Sequence, residues 1–103
     1  MTTKKDNLKL KDFLERELGP FSFGNFMRGA RASKDLSQVE MSDFLGISKS
    51  TLCDIEKGRQ LVSPSLAARI ARKCRLSIAV AVEASIQDQL RKAGLQFRVK
   101  LVA

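Results

Sequence analysis

Residues 36–59 have the sequence LSQVEMSDFLGISKSTLCDIEKGR, and this stretch decides the fold. Ser37 is a favourable N-cap residue, and a short amphipathic run follows it. Gly46 interrupts that run, and Ser48 can cap a second amphipathic run that continues to Lys57. The pattern therefore predicts two short helices joined by a tight, glycine-containing turn. The apolar positions expected to supply most of the core are Val39, Met41, Phe44, Leu45, Ile47, Leu52 and Ile55.

Three further helices are predicted on either side of this stretch. Residues 7–18 carry apolar side chains at helical spacing and are followed by a Gly-Pro pair that ends a helix. Residues 23–33 show the same spacing after Ser22, which can act as an N-cap. Pro64 occupies a first helical position, where its missing N–H is no loss, and the apolar stripe that follows it extends to Cys74.

The C-terminal part of the chain is unusually apolar and has two distinct patterns. Residues 77–93, framed by a serine cap and Gly94, are predicted to form a helix, although the alternation in IAVAV would also fit a strand. Residues 95–102 alternate apolar and other side chains, which predicts a β-strand. A single strand leaves backbone groups unpaired, so we expect it to pair with another chain, either a second copy or a foreign protein.

The two central helices resemble the helix-turn-helix of the Cro/repressor-type family, also called the xenobiotic-response-element family. The resemblance covers about residues 23–77 and departs from the family at Ser42, where alanine is usual. The matching positions are Arg31, Leu36, Ser37, Gln38, Leu45, Gly46, Ile47, Ser48, Ser50, Thr51, Leu52, Ile55, Glu56, Gly58 and Arg59. It implies an all-α, five-helix, lambda-repressor-like DNA-binding domain, to which this chain adds an N-terminal helix-bearing segment and the C-terminal β-strand.

The chain has 103 residues, which suits a single compact domain. Within it, residues 1–20 are predicted to be an N-terminal extension with an amphipathic helix. Residues 21–76 are predicted to be the helix-turn-helix DNA-binding domain. Residues 77–103 are predicted to supply a dimerisation helix and the strand.

The charge of the chain favours a polyanionic partner. Nineteen Lys and Arg residues against eleven Asp and Glu residues give a net charge of +8. Residues 57–75 contain six basic residues and no acid, and residues 91–103 contain four more without an acid. Clustered positive charge of this kind is typical of nucleic-acid binding, although a basic surface can also serve solubility alone. The resemblance implies that the nucleic acid is double-stranded DNA.

Other classes of protein are not favoured by the sequence. Histidine is absent, and there is no Gly-rich phosphate loop and no catalytic constellation, so we expect neither an enzyme nor a cofactor. Cys53 and Cys74 alone do not make a metal site, and Cys74 is expected to be a small buried apolar residue. No apolar stretch approaches the roughly 20 residues needed to cross a membrane, and no secretory signal is recognisable, so a cytoplasmic protein is expected, associated with the nucleoid when bound to DNA.

The resemblance assigns roles to individual side chains of the two central helices. Those expected to read base edges are Lys49, Ser50 and Asp54. Those expected to bind DNA phosphates are Gln38, Thr51, Lys57, Arg59 and Arg28. Arg31 and Glu56 are expected to form a structural ion pair, without a chemical role.

These features lead to a hypothesis of a homodimeric transcriptional repressor that binds a palindromic operator. The predicted dimer interface consists of Ile78, Val82, Ile86, Leu95, Phe97, Val99 and Leu101. One version of the hypothesis is a HigA-like antitoxin that represses its own type II toxin–antitoxin operon and binds a small toxin protein encoded next to it. The alternatives are a phage-type regulator, and a nucleic-acid or protein-binding adaptor that uses the same fold without reading an operator.

Overall fold

The computed structural model of the chain describes residues 21–102, and this part folds into five α-helices. The helices are α1 (Phe23–Ser33), α2 (Gln38–Leu45), α3 (Lys49–Glu56), α4 (Pro64–Cys74) and α5 (Ile78–Lys92). The all-α prediction is confirmed for these residues. The helix predicted at residues 7–18, within the extension at 1–20, lies outside the described residues, and the division at residues 76 and 77 stays a prediction.

Each of these helices begins directly after a serine whose hydroxyl oxygen accepts a hydrogen bond from a backbone N–H of the first turn. The five N-cap residues are Ser22, Ser37, Ser48, Ser63 and Ser77. At Ser37 the bond is reciprocal, because its N–H donates to Glu40 Oε1 at 2.9 Å, and this bond lowers the pKa of Glu40 below its ordinary value. Serine N-caps typically stabilise a helix by about 1 kcal/mol relative to alanine, so they fix where each helix starts.

The core is formed by the inner faces of all five helices. Its largest fully buried apolar side chains are Phe23, Phe26, Met27, Met41, Leu52, Ile55 and Val80. The rings of Phe23 and Phe26 stack on each other with centroids 5.5 Å apart. The most extensive helix–helix packing joins α4 to α5, and both helices carry fully buried alanines that allow a close approach.

Gly24 marks the point at which α1 crosses the end of α3 most closely. A Cβ atom at this position would lie 2.7 Å from the carbonyl oxygen of Ile55 and 2.8 Å from that of Glu56. Both neighbours are backbone atoms, which cannot rotate away as a flexible side chain can. The absence of a side chain at Gly24 therefore allows α1 to pack directly against the end of α3.

Replacing Gly24 with alanine should destabilise the fold. In an unhindered helix the same change would stabilise by about 0.5–1 kcal/mol, whereas here overpacking against two carbonyl oxygens should lower the free energy of unfolding by about 1–3 kcal/mol. Urea denaturation of the parent and the variant measures the difference directly. A variant as stable as the parent would contradict the close crossing of α1 and α3.

The apolar run after Ser77 is helical, so the strand alternative for residues 77–93 is wrong. The helix α5 buries Val80, Ala81 and Ala84 completely, at the i, i+1 and i+4 positions of one face. A strand would place the adjacent side chains of Val80 and Ala81 on opposite faces, whereas both are buried in the same core. The helical period therefore decides the structure of this run.

The predicted C-terminal β-strand is also wrong, because residues 95–102 form no strand in the structure. The Gln87 side chain donates to the carbonyl of Phe97 and accepts from the N–H of Val99, both at 2.8 Å. The N–H of Leu101 donates to Glu83 Oε1 at 3.4 Å. The tail thus runs antiparallel along α5. Side chains of that helix form hydrogen bonds with backbone groups that the strand prediction had expected to pair with another chain.

Candidate nucleic-acid interface

The turn between α2 and α3 is held by backbone hydrogen bonds around Gly46. Gly46 has a φ of +72°, in the left-handed region, and its N–H donates to the carbonyl of Asp43. The N–H of Ile47 donates to the carbonyl of Ser42 at 3.1 Å. Ser42 is itself buried, with its hydroxyl donating to the carbonyl of Val39 at 2.8 Å. The serine that stands in place of alanine is therefore accommodated without an unpaired polar group.

The helix α3 has an apolar inner face and a polar outer face. Leu52 and Ile55 are fully buried, whereas Lys49 and Ser50 are exposed and Asp54 is half-buried. Ser50 and Asp54 are one helical turn apart and therefore share a side of the helix. The structure thus places the three side chains predicted to read bases outside the core, on a short helix fixed at both ends.

Arg59 lies beside Asp54 in the loop that follows α3. Its Nη1 atom is 4.0 Å from Asp54 Oδ1, and the side chain of Arg59 is 67% exposed and that of Asp54 40% exposed. Solvent-exposed pairs of this kind contribute little to stability, so neither group is committed to the other. The loop itself is fixed, because the Asp54 carbonyl accepts from the N–H groups of Arg59 and Gln60 at 2.8 and 3.3 Å.

Thr51 is tied to the cap of α3. The Ser48 hydroxyl donates to Thr51 Oγ1 at 2.8 Å, while the Thr51 N–H donates back to Ser48 Oγ at 3.0 Å. Because Thr51 Oγ1 is the acceptor in the first bond, its own O–H can still donate to a phosphate. The predicted phosphate contact of Thr51 is therefore compatible with its place in the structure.

Arg31 and Glu56 form a two-point ion pair that links α1 to the end of α3. Arg31 Nε lies 2.9 Å from Glu56 Oε2, and Arg31 Nη2 lies 3.1 Å from Glu56 Oε1. These hydrogen bonds with Glu56 raise the pKa of Arg31 above its ordinary value. Arg31 Nη1 also donates to the carbonyl of Leu36 at 3.3 Å, which extends the linkage to the segment before α2.

Gln38, the predicted phosphate ligand at the start of α2, joins the same network. Its Nε2 atom donates to Glu56 Oε1 at 3.1 Å. A carboxamide nitrogen carries two protons, so one N–H is used by Glu56 and the other can donate outward. The contact with Glu56 orients the carboxamide at the first position of a helix, where the positive end of the helix dipole also favours an anion.

The remaining predicted phosphate ligands are exposed cations near the end of α3. Lys57 directly follows α3 and caps it. Arg28 is exposed on α1, one turn after Gly24 and nearly one turn before Arg31. Both Gly24 and Arg31 contact the end of α3. We therefore place Arg28 on the side of α1 nearest to α3.

The two cysteines have different surroundings. Cys74 is buried in the core, and burial raises the pKa of its thiol, although nearby Lys34 and Lys73 oppose the rise. Cys53 is half-buried on α3. Within residues 21–102, no three Cys, Asp or Glu side chains are grouped as a metal site would require.

Two features of the surface were not predicted from the sequence. Phe44 is partly exposed, and the ammonium groups of Lys34 and Lys73 lie 5.5 and 5.4 Å from the centre of its ring. Arg91 and Lys92 line one groove together with Arg59. The acid-free basic run that begins at residue 91 was a sequence signal for this groove, but it did not indicate which other residues would lie beside it.

The geometry defines a helix-turn-helix protein. The short helices α2 and α3 are joined by a turn at Gly46, the outer face of α3 is polar, and basic residues lie around it. A family model described as a helix-turn-helix domain matches residues 22–84, more than half of the chain. The chain therefore belongs to the helix-turn-helix family of DNA-binding transcription regulators. None of its helices within residues 21–102 is long and apolar enough to span a bilayer.

A curated relative comes from a bacteriophage. The "ImmF control region 10 kDa protein" of Bacillus phage phi105 is 39% identical over 64 residues, which is 62% of this chain and 71% of the phage protein. No solved structure matches the chain. The similarity to the phage protein supports the assignment as a regulator of the helix-turn-helix class.

Proposed function

We propose that the chain is a transcriptional repressor that binds a palindromic operator as a homodimer, without enzymatic activity. The observation that carries the proposal is the outer face of α3, where Lys49 and Ser50 are exposed on a helix with a buried inner face. A short capped helix with this division of faces suits insertion into the major groove. The net charge of +8 supplies the attraction to the phosphate backbone.

Individual side chains take different roles in this proposal. Lys49 donates to the O6 or N7 atom of guanine, Ser50 contacts a neighbouring base edge, and Asp54 accepts from the N4 amino group of cytosine. The phosphate ligands that orient the protein without reading sequence are Gln38, Thr51, Lys57, Arg59 and Arg28. The pair of Arg31 and Glu56 keeps Gln38 and α3 in a fixed relation, because Glu56 contacts both the arginine and the glutamine.

Dimerisation is proposed because α3, the recognition helix of this proposal, can read only a few base pairs. Two copies related by a two-fold axis place their recognition helices about 34 Å apart on one face of the duplex. Support comes from the exposed apolar side chains of α5 and the tail: Ile78, Leu95, Phe97 and Leu101 are all at least 37% exposed. Val82, Ile86 and Val99, the other predicted interface residues, are half-buried.

A phage-type regulator is the form of repressor that we favour. The relative in phage phi105 is named for a control region, and it is 39% identical to this chain over 64 residues. The antitoxin interpretation drew on an N-terminal helix, which lies outside the described residues, and on a C-terminal strand, which residues 95–102 do not form. A small adjacent gene whose protein product co-purifies with this chain would instead support the interpretation as an antitoxin with a toxin partner.

Selection of duplexes from a random DNA pool at about 150 mM salt tests the operator, because purely ionic binding is weakened at this salt. We expect an enriched palindrome with half-sites about ten base pairs apart. Replacing Lys49 with alanine should relax the preferred sequence, whereas replacing Lys57 with alanine should weaken binding to all sequences alike. No enrichment, with retention lost steeply as salt rises, would instead indicate nonspecific binding.

A further inference from the structure

A groove of about 490 Å³ lies where the end of α5 meets the beginning of α1 and the loop after α3. Residues from these three separate parts of the chain line it: Ser22, Gly24, Gly58, Arg59, Gln60, Leu61, Asp88, Arg91 and Lys92. Three of the lining side chains are basic and one is acidic. The groove therefore has a net positive charge and opens to solvent beside the C-terminal end of the recognition helix.

The acidic residue in the groove is neutralised by its own neighbours. Asp88 Oδ2 accepts from the N–H of Phe23 at 2.9 Å, and Asp88 Oδ1 accepts from Arg91 Nη1 at 2.8 Å. Arg91 Nη2 in turn donates to the carbonyl of Phe21 at 3.1 Å. Asp88 thus has both oxygens occupied, and it holds Arg91 at the rim while more than half of the arginine side chain stays exposed.

Arg59 and Lys92 supply the charge that is not used inside the protein. The guanidinium of Arg59 lies 4.0 Å from Asp54, and both side chains are partly or well exposed. An ion pair at this distance in solvent is weak, so the guanidinium can still bind an anion. Lys92 is exposed in the last turn of α5. Both residues line the groove, so an anion bound in it would have two cationic side chains beside it.

We propose that this groove binds a backbone phosphate of the DNA, with Lys92 and Arg59 as donors beside the ion pair of Arg91 and Asp88. The inference rests on the proposed DNA-binding function and extends the DNA contacts to α5, a helix to which no DNA contact was assigned. Continuity supports DNA as the occupant, because Arg59 belongs both to the groove and to the predicted phosphate ligands next to α3.

The salt dependence of DNA binding tests the proposal. Each phosphate contact contributes about 0.9 to the slope of log K against log salt concentration. Replacing Lys92 with glutamine should therefore reduce the slope by about one and leave the preferred sequence unchanged. The matched control is Arg72→Gln, which removes one charge from an exposed position in the last turn of α4, away from the groove.

The slopes of the parent, Lys92→Gln and Arg72→Gln are measured on one duplex that carries the enriched palindrome. A reduction confined to Lys92→Gln supports the phosphate site, whereas equal slopes for the two variants overturn it. Thermal melts should be alike for all three proteins, because both substituted side chains are exposed. If no palindrome is enriched, the operator proposal fails, and the same comparison on any duplex still decides the groove.

Discussion

The free energy of unfolding should fall by about 4 kcal/mol when Arg31 is replaced by methionine, and by about 3 kcal/mol when Glu56 is replaced by alanine. Both changes break one ion pair, but they leave different groups behind. The Glu56 side chain is only 2% exposed, whereas the Arg31 side chain is 26% exposed. A carboxylate left without its partner is therefore shielded from water, while an arginine left alone can turn toward solvent.

The neighbours of the pair reinforce this difference. After removal of Arg31, the Glu56 carboxylate keeps a side-chain hydrogen bond from Gln38, which carries no charge. After removal of Glu56, Arg31 keeps the carbonyl of Leu36 as an acceptor and has partial access to water. Urea denaturation of the two variants measures the losses, with Asp43→Ala as a control at an exposed acidic position on α2.

A double variant separates the loss of the pair from the burial of an unpaired charge. Arg31→Met combined with Glu56→Leu removes both charges and fills the space with apolar atoms, so most of the lost stability should return. A double variant as unstable as the sum of the single variants would show that the two residues act independently. A Glu56→Ala protein that melts like the parent would contradict a structural role for the pair.

Short-range features of the fold were predictable from the sequence because their partners are near in the chain. Each N-cap serine bonds an N–H three residues later, and Gly46 bonds back to the turn that precedes it. The two helices of the motif and their boundaries follow from such local bonds. The nature of α5 was harder to predict, because the alternation in its sequence fits a strand, and only packing against α4 selects the helix.

The features that sequence reasoning missed depend on contacts between distant residues. Val39 and Phe44 were expected in the core, but they are 51% and 36% exposed, and Phe44 is covered by lysines from α4 and from the end of α1. The backbone of the tail is bonded by Gln87, a side chain ten or more residues away. The spacing of apolar residues does not indicate how wide the buried face of an eight-residue helix is. It also does not indicate which side chains will form hydrogen bonds with the backbone of the tail.

Replacing Phe97 with aspartate should convert the protein into monomers and weaken operator binding by a hundred-fold or more. Phe97 is 66% exposed, so its side chain contributes little to the stability of one copy. At a dimer interface the same ring would be buried, and a carboxylate in its place would lose its water without gaining a partner. Loss of the second recognition helix then removes the advantage of two linked sites, which is about 100- to 10,000-fold.

The matched control is Gln96→Asp, which introduces the same charge at an exposed neighbour of Phe97. Both variants therefore add one negative charge to the same segment, and only Phe97→Asp also removes an exposed aromatic ring. Sedimentation measures the mass of each protein, and titration of the operator duplex measures its affinity. Because the backbone of residue 97 is held by Gln87 rather than by its own ring, the variant should keep the tail on α5. If the Phe97→Asp protein keeps both the mass of a dimer and full affinity, the tail is not the dimer interface. Ile78 on α5 would then be the next position to substitute.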